Sequence, residues 1–250
     1  MLRTKTPQSI QEKAYHYLRN RILSGDLAPG SALSEASIAR EMGNSRGPLR
    51  EAVRRLTAEG FLRQTPRGGS VVVEFTRRDV AELYELREAL EGYAVGKAAE
   101  HILRRTEIEN FQKLVDEVLL LRDELVKSGE PCLHEEGMRR FIRLDFQFHT
   151  LIVRAAANSR ILKVFADTRV LLNIFGIRRQ GHDADQLVEI HRYHNQILAA
   201  IVSRDPKAAR ALLIEHIQVS KLERLKEYDE LEREIAMGQP HHELYHVDLP

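Results

Sequence analysis

Apolar residues recur every three or four positions along most of this chain, with polar residues filling the opposite sides. That spacing predicts amphipathic helices. After residue 79 the pattern is almost unbroken. Helices are predicted over 79–101 (stripe Val80, Leu83, Leu86, Leu90, Ala94), 106–127 (Ile108, Phe111, Leu114, Val115, Val118, Leu121, Leu125), 133–157, 161–177, 185–203 and 207–237. Thr76 with Asp79, and Thr106 with Glu109, have capping-box spacing, while Ser128-Gly129-Glu130-Pro131 and Asp205-Pro206 read as stops. The pattern implies an all-helical bundle over residues 77–230, then a charged helix end and flexible tail over 231–250. His241 and His242 fall in that tail and are given no ligand role.

Residues 9–75 read differently. A helix over 9–24 carries Ile10, Ala14, Tyr17, Leu18 and Ile22 on its inner side, and turn residues follow to Gly30. Residues 33–61 then read as two short helices joined by a tight turn. Ser34 caps the first, which has Ile38, Ala39 and Met42 on its apolar side and ends at Gly43. Ser45 caps the second, Pro48 sits in its first turn, and Leu49, Ala52, Val53 and Leu56 form its buried stripe. Arg46, Arg50 and Arg54 fall four apart and share an exposed face. Two short strands, 61–64 and 70–75, flank a hairpin tip, Thr65-Pro66-Arg67-Gly68-Gly69. This order is that of a winged helix-turn-helix, whose second helix enters the major groove, where arginine grips guanine or phosphate. The alternatives are a solvated basic face and a plain hairpin with a basic tip. The expected DNA-contacting residues are Ser34, Ser45, Arg46, Arg50 and Arg54, with Arg67 and Gly69 on the wing.

Charge supports the division. Net charge is only +1, yet residues 1–75 hold 12 Lys and Arg against 7 Asp and Glu, while the remainder holds 26 against 30. A basic module on a mildly acidic body suits DNA contact at one end. Cys132 is the single cysteine, so no intrachain disulfide forms and a reducing compartment is expected. The first residues lack the apolar core of a signal peptide, and no run of 18 apolar residues exists. A cytoplasmic protein without membrane contact follows as the expectation.

The helical part holds one chemical oddity. Asp145 and His149, four apart, interrupt the inner stripe Ile142, Phe146, Ile152, Val153. His194 interrupts Ile190, Ile197, Leu198, Ile201, and His216 interrupts Ala209, Leu212, Leu213, Ile217. His194 and His216 each lie eleven positions from Asp205 on opposite sides of the turn. If their helices pack antiparallel, both stand roughly 16 Å from that turn, at one level. Three imidazoles and a carboxylate are costly to bury unless something compensates them. A divalent transition metal would: zinc first, with nickel, manganese and iron as alternatives. For each histidine singly, a hydrogen-bonded core histidine is the competing reading. His191 competes with His194 but falls off the stripe.

Leu33-Ser34-Glu35, Ser45-Arg46-Gly47-Pro48-Leu49-Arg50-Glu51-Ala52, Leu56 and Glu59-Gly60-Phe61 resemble the winged-helix DNA-binding domain of GntR-type transcriptional regulators. The family usually has a hydroxyl residue where Gly47 stands, so one phosphate contact is missing. Asp145, His149, His194 and His216 are similar to the metal-binding pattern of the FCD ligand domain in the FadR-like branch. That resemblance implies binding of a small carboxylate, an organic or sugar acid, against the metal. Arg87, in Leu86-Arg87-Glu88-Ala89-Leu90-Glu91, matches the branch's first-helix pattern and would clamp the carboxylate. Arg143 and Arg178 are further effector-binding candidates, with a solvated arginine as the alternative for each.

The expected function is therefore a ligand-responsive transcriptional regulator, a repressor by family habit, that binds double-stranded operator DNA as a homodimer. It would not be an enzyme. The rivals are a metal-dependent hydrolase using metal-bound water, and a DNA-binding protein whose metal is purely structural. The first lacks a placed general base and has no need of the N-terminal module.

Overall fold

The computed structural model describes residues 9–23, 26–66, 68–74, 76–174 and 181–237. They form two compact units that divide between residues 75 and 76.

The first unit contains α1 (Ile10–Leu23), β1 (Ala32–Leu33), α2 (Glu35–Glu41), α3 (Arg46–Ala58), β2 (Leu62–Gln64) and β3 (Ser70–Val72). Its core is formed by Ala14, Tyr15, Leu18, Ile22, Ile38, Leu49, Val53, Leu56, Phe61 and Val72. On α1, Tyr15 is buried and its hydroxyl donates to Glu59 at 2.7 Å, whereas Ile10 is half exposed and Tyr17 lies at the margin. The apolar spacing had favoured Ile10 and Tyr17. The sheet has three strands, ordered β1-β3-β2 and antiparallel throughout. β1 is two residues long and pairs with a strand almost forty positions away, so no local periodicity reveals it.

Ser34 is the N-cap of α2, its side chain accepting from the Ser37 N–H. Ser34→Ala should cost about 1 kcal/mol of this unit's stability, checked by denaturant unfolding. Ser45 stands at the N-cap of α3 but makes no cap hydrogen bond, so its expected capping role is corrected to position alone.

The second unit contains α4 (Arg77–Glu100), α5 (Arg105–Ser128), α6 (Glu135–Ala155), α7 (Ser159–Ile174), α8 (Ala184–Val202) and α9 (Pro206–Ala236). The capping box of Thr76 and Asp79 opens α4 as its spacing implies. At α5 the reading shifts by two residues: Glu107 accepts from the Arg104 N–H at 2.7 Å, and Thr106 already lies within the helix. Asp183 and Gln186 make a reciprocal box at α8, and Asp205 accepts from the Ala208 N–H to start α9.

α4 packs against α6, α7, α8 and α9, most extensively α9, while α5 packs on α8 and α6. Being covered from several directions, α4 buries a wider face than its apolar stripe indicates. Leu86, expected inside, is 39% exposed, and the inward positions include Tyr84, Arg87 and Glu91. Residues 231–236 continue α9 as helix; the predicted tail beyond Met237 lies outside the described residues.

Candidate metal centre and nucleic-acid interface

The first unit presents α3 with Arg46, Arg50 and Arg54 exposed opposite the buried Leu49, Ala52, Val53 and Leu56. The three arginines differ in freedom. Arg46 makes no hydrogen bond or ion pair to any described residue. Arg50 lies 3.8 Å from Glu35, and Arg54 is held by Glu51 at 2.8 Å, one turn back. Arg46 and Arg50 are thus the side chains most available to a groove, and Arg54 must release a carboxylate first. The wing hairpin is closed by the Thr65 N–H donating to the Gly69 carbonyl at 2.9 Å, with Gly68 and Gly69 both at positive φ. Only glycine takes the Gly69 conformation without strain, and the lack of side chains lets backbone approach a phosphate. Arg67 lies outside the described residues.

In the second unit, α6, α8 and α9 bring Asp145, His149, His194 and His216 together, with one ligating atom from each within 4.8 Å of all the others. α8 and α9 return on each other through the turn at Ser203–Asp205. His194 and His216 consequently face each other at one level, Nε2 to Nε2 at 3.3 Å. Asp145 Oδ1 stands 3.5 Å from His149 Nε2 and 3.6 Å from His194 Nε2. The three histidines are buried, and Asp145 keeps about a fifth of its surface open. His191 is not part of the cluster.

Two observations test whether these residues suit a metal. His149 Nε2 is buried with no hydrogen-bond partner, which is costly for an imidazole nitrogen unless something ligates it. Burial, reinforced by His149 and Arg87 against the pull of Asp145 and Glu91, pushes His216 down to about 3, so it is a neutral ligand at pH 7. Three imidazoles and one carboxylate are the donors a divalent transition metal takes, and the residues fit.

The rings are held by packing. Phe148 lies flat on His194, centroids 4.0 Å apart at 10°, and edge-on to Phe111 at 5.7 Å. A cavity of about 240 Å³ reaches His216, lined by Gln186, Tyr193, Ser220 and Glu223 among others.

The three arginines expected to meet an effector fare unevenly. Arg87 is buried beside the cluster, but its guanidinium is engaged by Glu91 at 2.8 Å. Burial opposes its charge, yet Glu91, Tyr84 and Asp145 outweigh that and raise its pKa. Arg143 is not brought to the cluster: it is 41% exposed and pairs loosely with Glu136 at 3.4 Å. Two positions from Asp145 on α6, it is turned well away from it around the helix. Arg178 lies outside the described residues. Sequence reasoning missed Glu91, fully buried and paired through its carboxylate with His149 Nδ1. Its spacing from Arg87 reads as an ordinary surface ion pair on a helix.

Comparison with known proteins agrees with this division. Residues 10–72 match "Bacterial regulatory proteins, gntR family" and residues 82–219 match the FCD domain. A transcriptional regulator of Streptomyces ambofaciens from an unstable DNA locus is 31% identical, covering 88% of this chain and 84% of its own. The gluconate operon transcriptional repressor of Bacillus subtilis is 30% identical over 80% of this chain and 77% of its own. Among solved structures, Escherichia coli McbR/YncC matches with a TM-score of 0.67 at 21% identity, covering 88% of this chain and 99% of its own. These domains and relatives are those of transcriptional regulators and not of enzymes. No helix among the described residues is long and apolar enough to cross a membrane. The chain belongs to the gntR family of bacterial regulatory proteins, as a transcriptional regulator with an FCD domain behind its winged helix-turn-helix.

Proposed function

We propose that this regulator is a repressor that binds a near-palindromic operator as a homodimer and loosens or tightens its grip when a small carboxylate binds at a divalent metal in the FCD domain. The observation that carries the reading is the convergence of Asp145, His149, His194 and His216, four ligating groups from three helices with an unsatisfied, buried His149 Nε2 among them. When bound, the metal supplies a Lewis-acidic position for an effector carboxylate. Gln186, Tyr193, Ser220 and Glu223 line the adjoining cavity with groups suited to hydroxyls, and the gluconate-operon relative favours a sugar acid. Effector and operator are then coupled reciprocally, each changing the other's affinity by the same factor. Two symmetric recognition helices would enter successive major grooves, with Arg46 and Arg50 reading base edges or phosphates, Arg54 and Ser45 holding the backbone, and the wing at Arg67 and Gly69 touching the flank.

Arg46→Ala or Arg50→Ala should weaken specific binding by about 1–3 kcal/mol. The measurement is fluorescence anisotropy at fixed salt, on a genomic fragment enriched by the wild-type protein. Unchanged affinity in both variants would remove α3 from the groove. Native mass spectrometry with elemental analysis of untagged protein tests the other half. A dimer holding about one transition metal per chain supports the sensor, and extra mass points to the effector. A metal-free dimer that still binds DNA overturns it. A metal whose removal unfolds the protein, with no small acid altering DNA binding, would favour a purely structural ion.

A further inference from the structure

Arg87 and Glu91 stand one turn apart on the inner face of α4, 4% and 0% exposed. The Arg87 guanidinium donates through Nε to Glu91 Oε1 at 2.8 Å, and Glu91 Oε2 meets His149 Nδ1. The opposite nitrogen, His149 Nε2, is the buried atom without a hydrogen-bond partner, and it lies 3.5 Å from Asp145 Oδ1 among the converging ligand atoms. The two nitrogens of this one ring therefore have separate tasks. A carboxylate can only accept, so Nδ1 carries the proton toward Glu91 and Nε2 presents its lone pair to the centre.

A buried ion pair is weak evidence of stability by itself, because apolar residues of similar volume often serve the fold as well. What distinguishes this pair is its third contact, made to a ligating histidine. The Arg87 guanidinium also lies near the Tyr84 ring, 5.1 Å from the centroid, while its Nε is committed to Glu91.

We infer that Glu91 is a positioning residue of the metal centre, fixing the tautomer and orientation of His149, and that Arg87 supports metal affinity through Glu91 instead of serving as a free clamp for an effector carboxylate. The inference rests on the metal reading above and deepens it. Removing such a supporting carboxylate weakens metal binding about 10–100-fold.

The test uses the full chain, with Zn²⁺ and Mn²⁺ as probes in competition with a chelator of known affinity. Glu91→Gln keeps the shape and removes the charge. Arg87→Met removes the fork. Each should weaken metal binding by about 10–100-fold in protein whose circular dichroism is unchanged. The double variant should lose little more than either single, since both act through one carboxylate. If Glu91→Gln folds and binds both ions as wild type does, the inference is overturned. If Arg87→Met leaves metal affinity intact and lowers only effector affinity, the clamp role returns and the second half falls. Long-range ¹H–¹⁵N spectra of histidine-labelled apo protein give a readout free of metal. His149 should be protonated on Nδ1, and an Nε2–H tautomer would refute the arrangement. Wild-type protein that binds neither ion would fail the metal reading itself, while the tautomer would still decide what Glu91 does.

Discussion

His194→Ala should leave the protein unable to retain a divalent metal while DNA binding persists. His194 Nε2 is 3.3 Å from His216 Nε2 and 3.6 Å from Asp145 Oδ1, so it sits amid the ligand set. Alanine removes one of three nitrogen donors and leaves a dry space against Phe148. The remaining groups would have to shift together to hold the ion, and they are anchored on two packed helices, α6 and α9. The readout is both elemental and thermal. A ligand at 1,000 times its Kd stabilises the folded state by about 4 kcal/mol through mass action. For a unit of this size each kcal/mol is worth about 2–4 °C, so wild type should melt roughly 10 °C higher with metal than with chelator. The variant should melt at the same temperature in both. Full metal occupancy in the variant, or melting that still responds to chelator, would refute the ligand set. DNA binding should survive because α3 is stabilised by its own core of Leu49, Ala52, Val53 and Leu56. A folded variant that no longer binds DNA would make the metal part of the DNA-binding form and not the seat of an effector.

The convergence of Asp145, His149, His194 and His216 was legible because histidine is conspicuous in an apolar stripe. Each of the three histidines interrupts a run of apolar residues at helical spacing, and the turn at Asp205 places two of them level. The helix-turn-helix was legible for a related reason: α3 has one buried face and one basic face, and its boundaries carry turn chemistry. What escaped lies where a helix is covered from several sides. α4 touches four other helices, so its inner surface is too broad for one stripe to describe. Leu86 sits at an apolar position and is exposed, while Glu91 sits at a polar position and is fully buried. Periodicity cannot separate them, because Glu91 is covered by helices distant in sequence and its partner, His149, is 58 residues away. β1 escaped because its pairing with β3 is equally non-local, and Phe148 because α6 also buries the position beside its expected stripe. Histidine on a one-sided helix announces itself; a carboxylate that serves it from a neighbouring helix does not.

Phe148 is the residue through which the core and the centre depend on each other. Its side chain is fully buried, flat against His194 and edge-on to Phe111, and it belongs to the cluster that also holds Ile152, Ile197 and Ile217. Phe148→Ala should destabilise the second unit by about 3–5 kcal/mol, from lost transfer energy and the cavity left in a close-packed interior. Its two ring contacts add to the burial. Leu222→Ala is the matched control: Leu222 is 68% exposed, and its loss should change stability by no more than about 0.5 kcal/mol. Urea unfolding checks both, with a lower midpoint at unchanged slope expected for Phe148→Ala. A loss below about 1 kcal/mol would mean that the space refills on relaxation and that His194 is held by its helix alone. Metal affinity separates these cases. Without the flat wall of Phe148, the His194 imidazole can turn about its own side-chain bonds, so metal binding should weaken although Phe148 donates no ligand. Destabilisation at unchanged metal affinity would show that backbone placement on α8 suffices to aim His194. Loss of both would mean that the aromatic core aims the ligand.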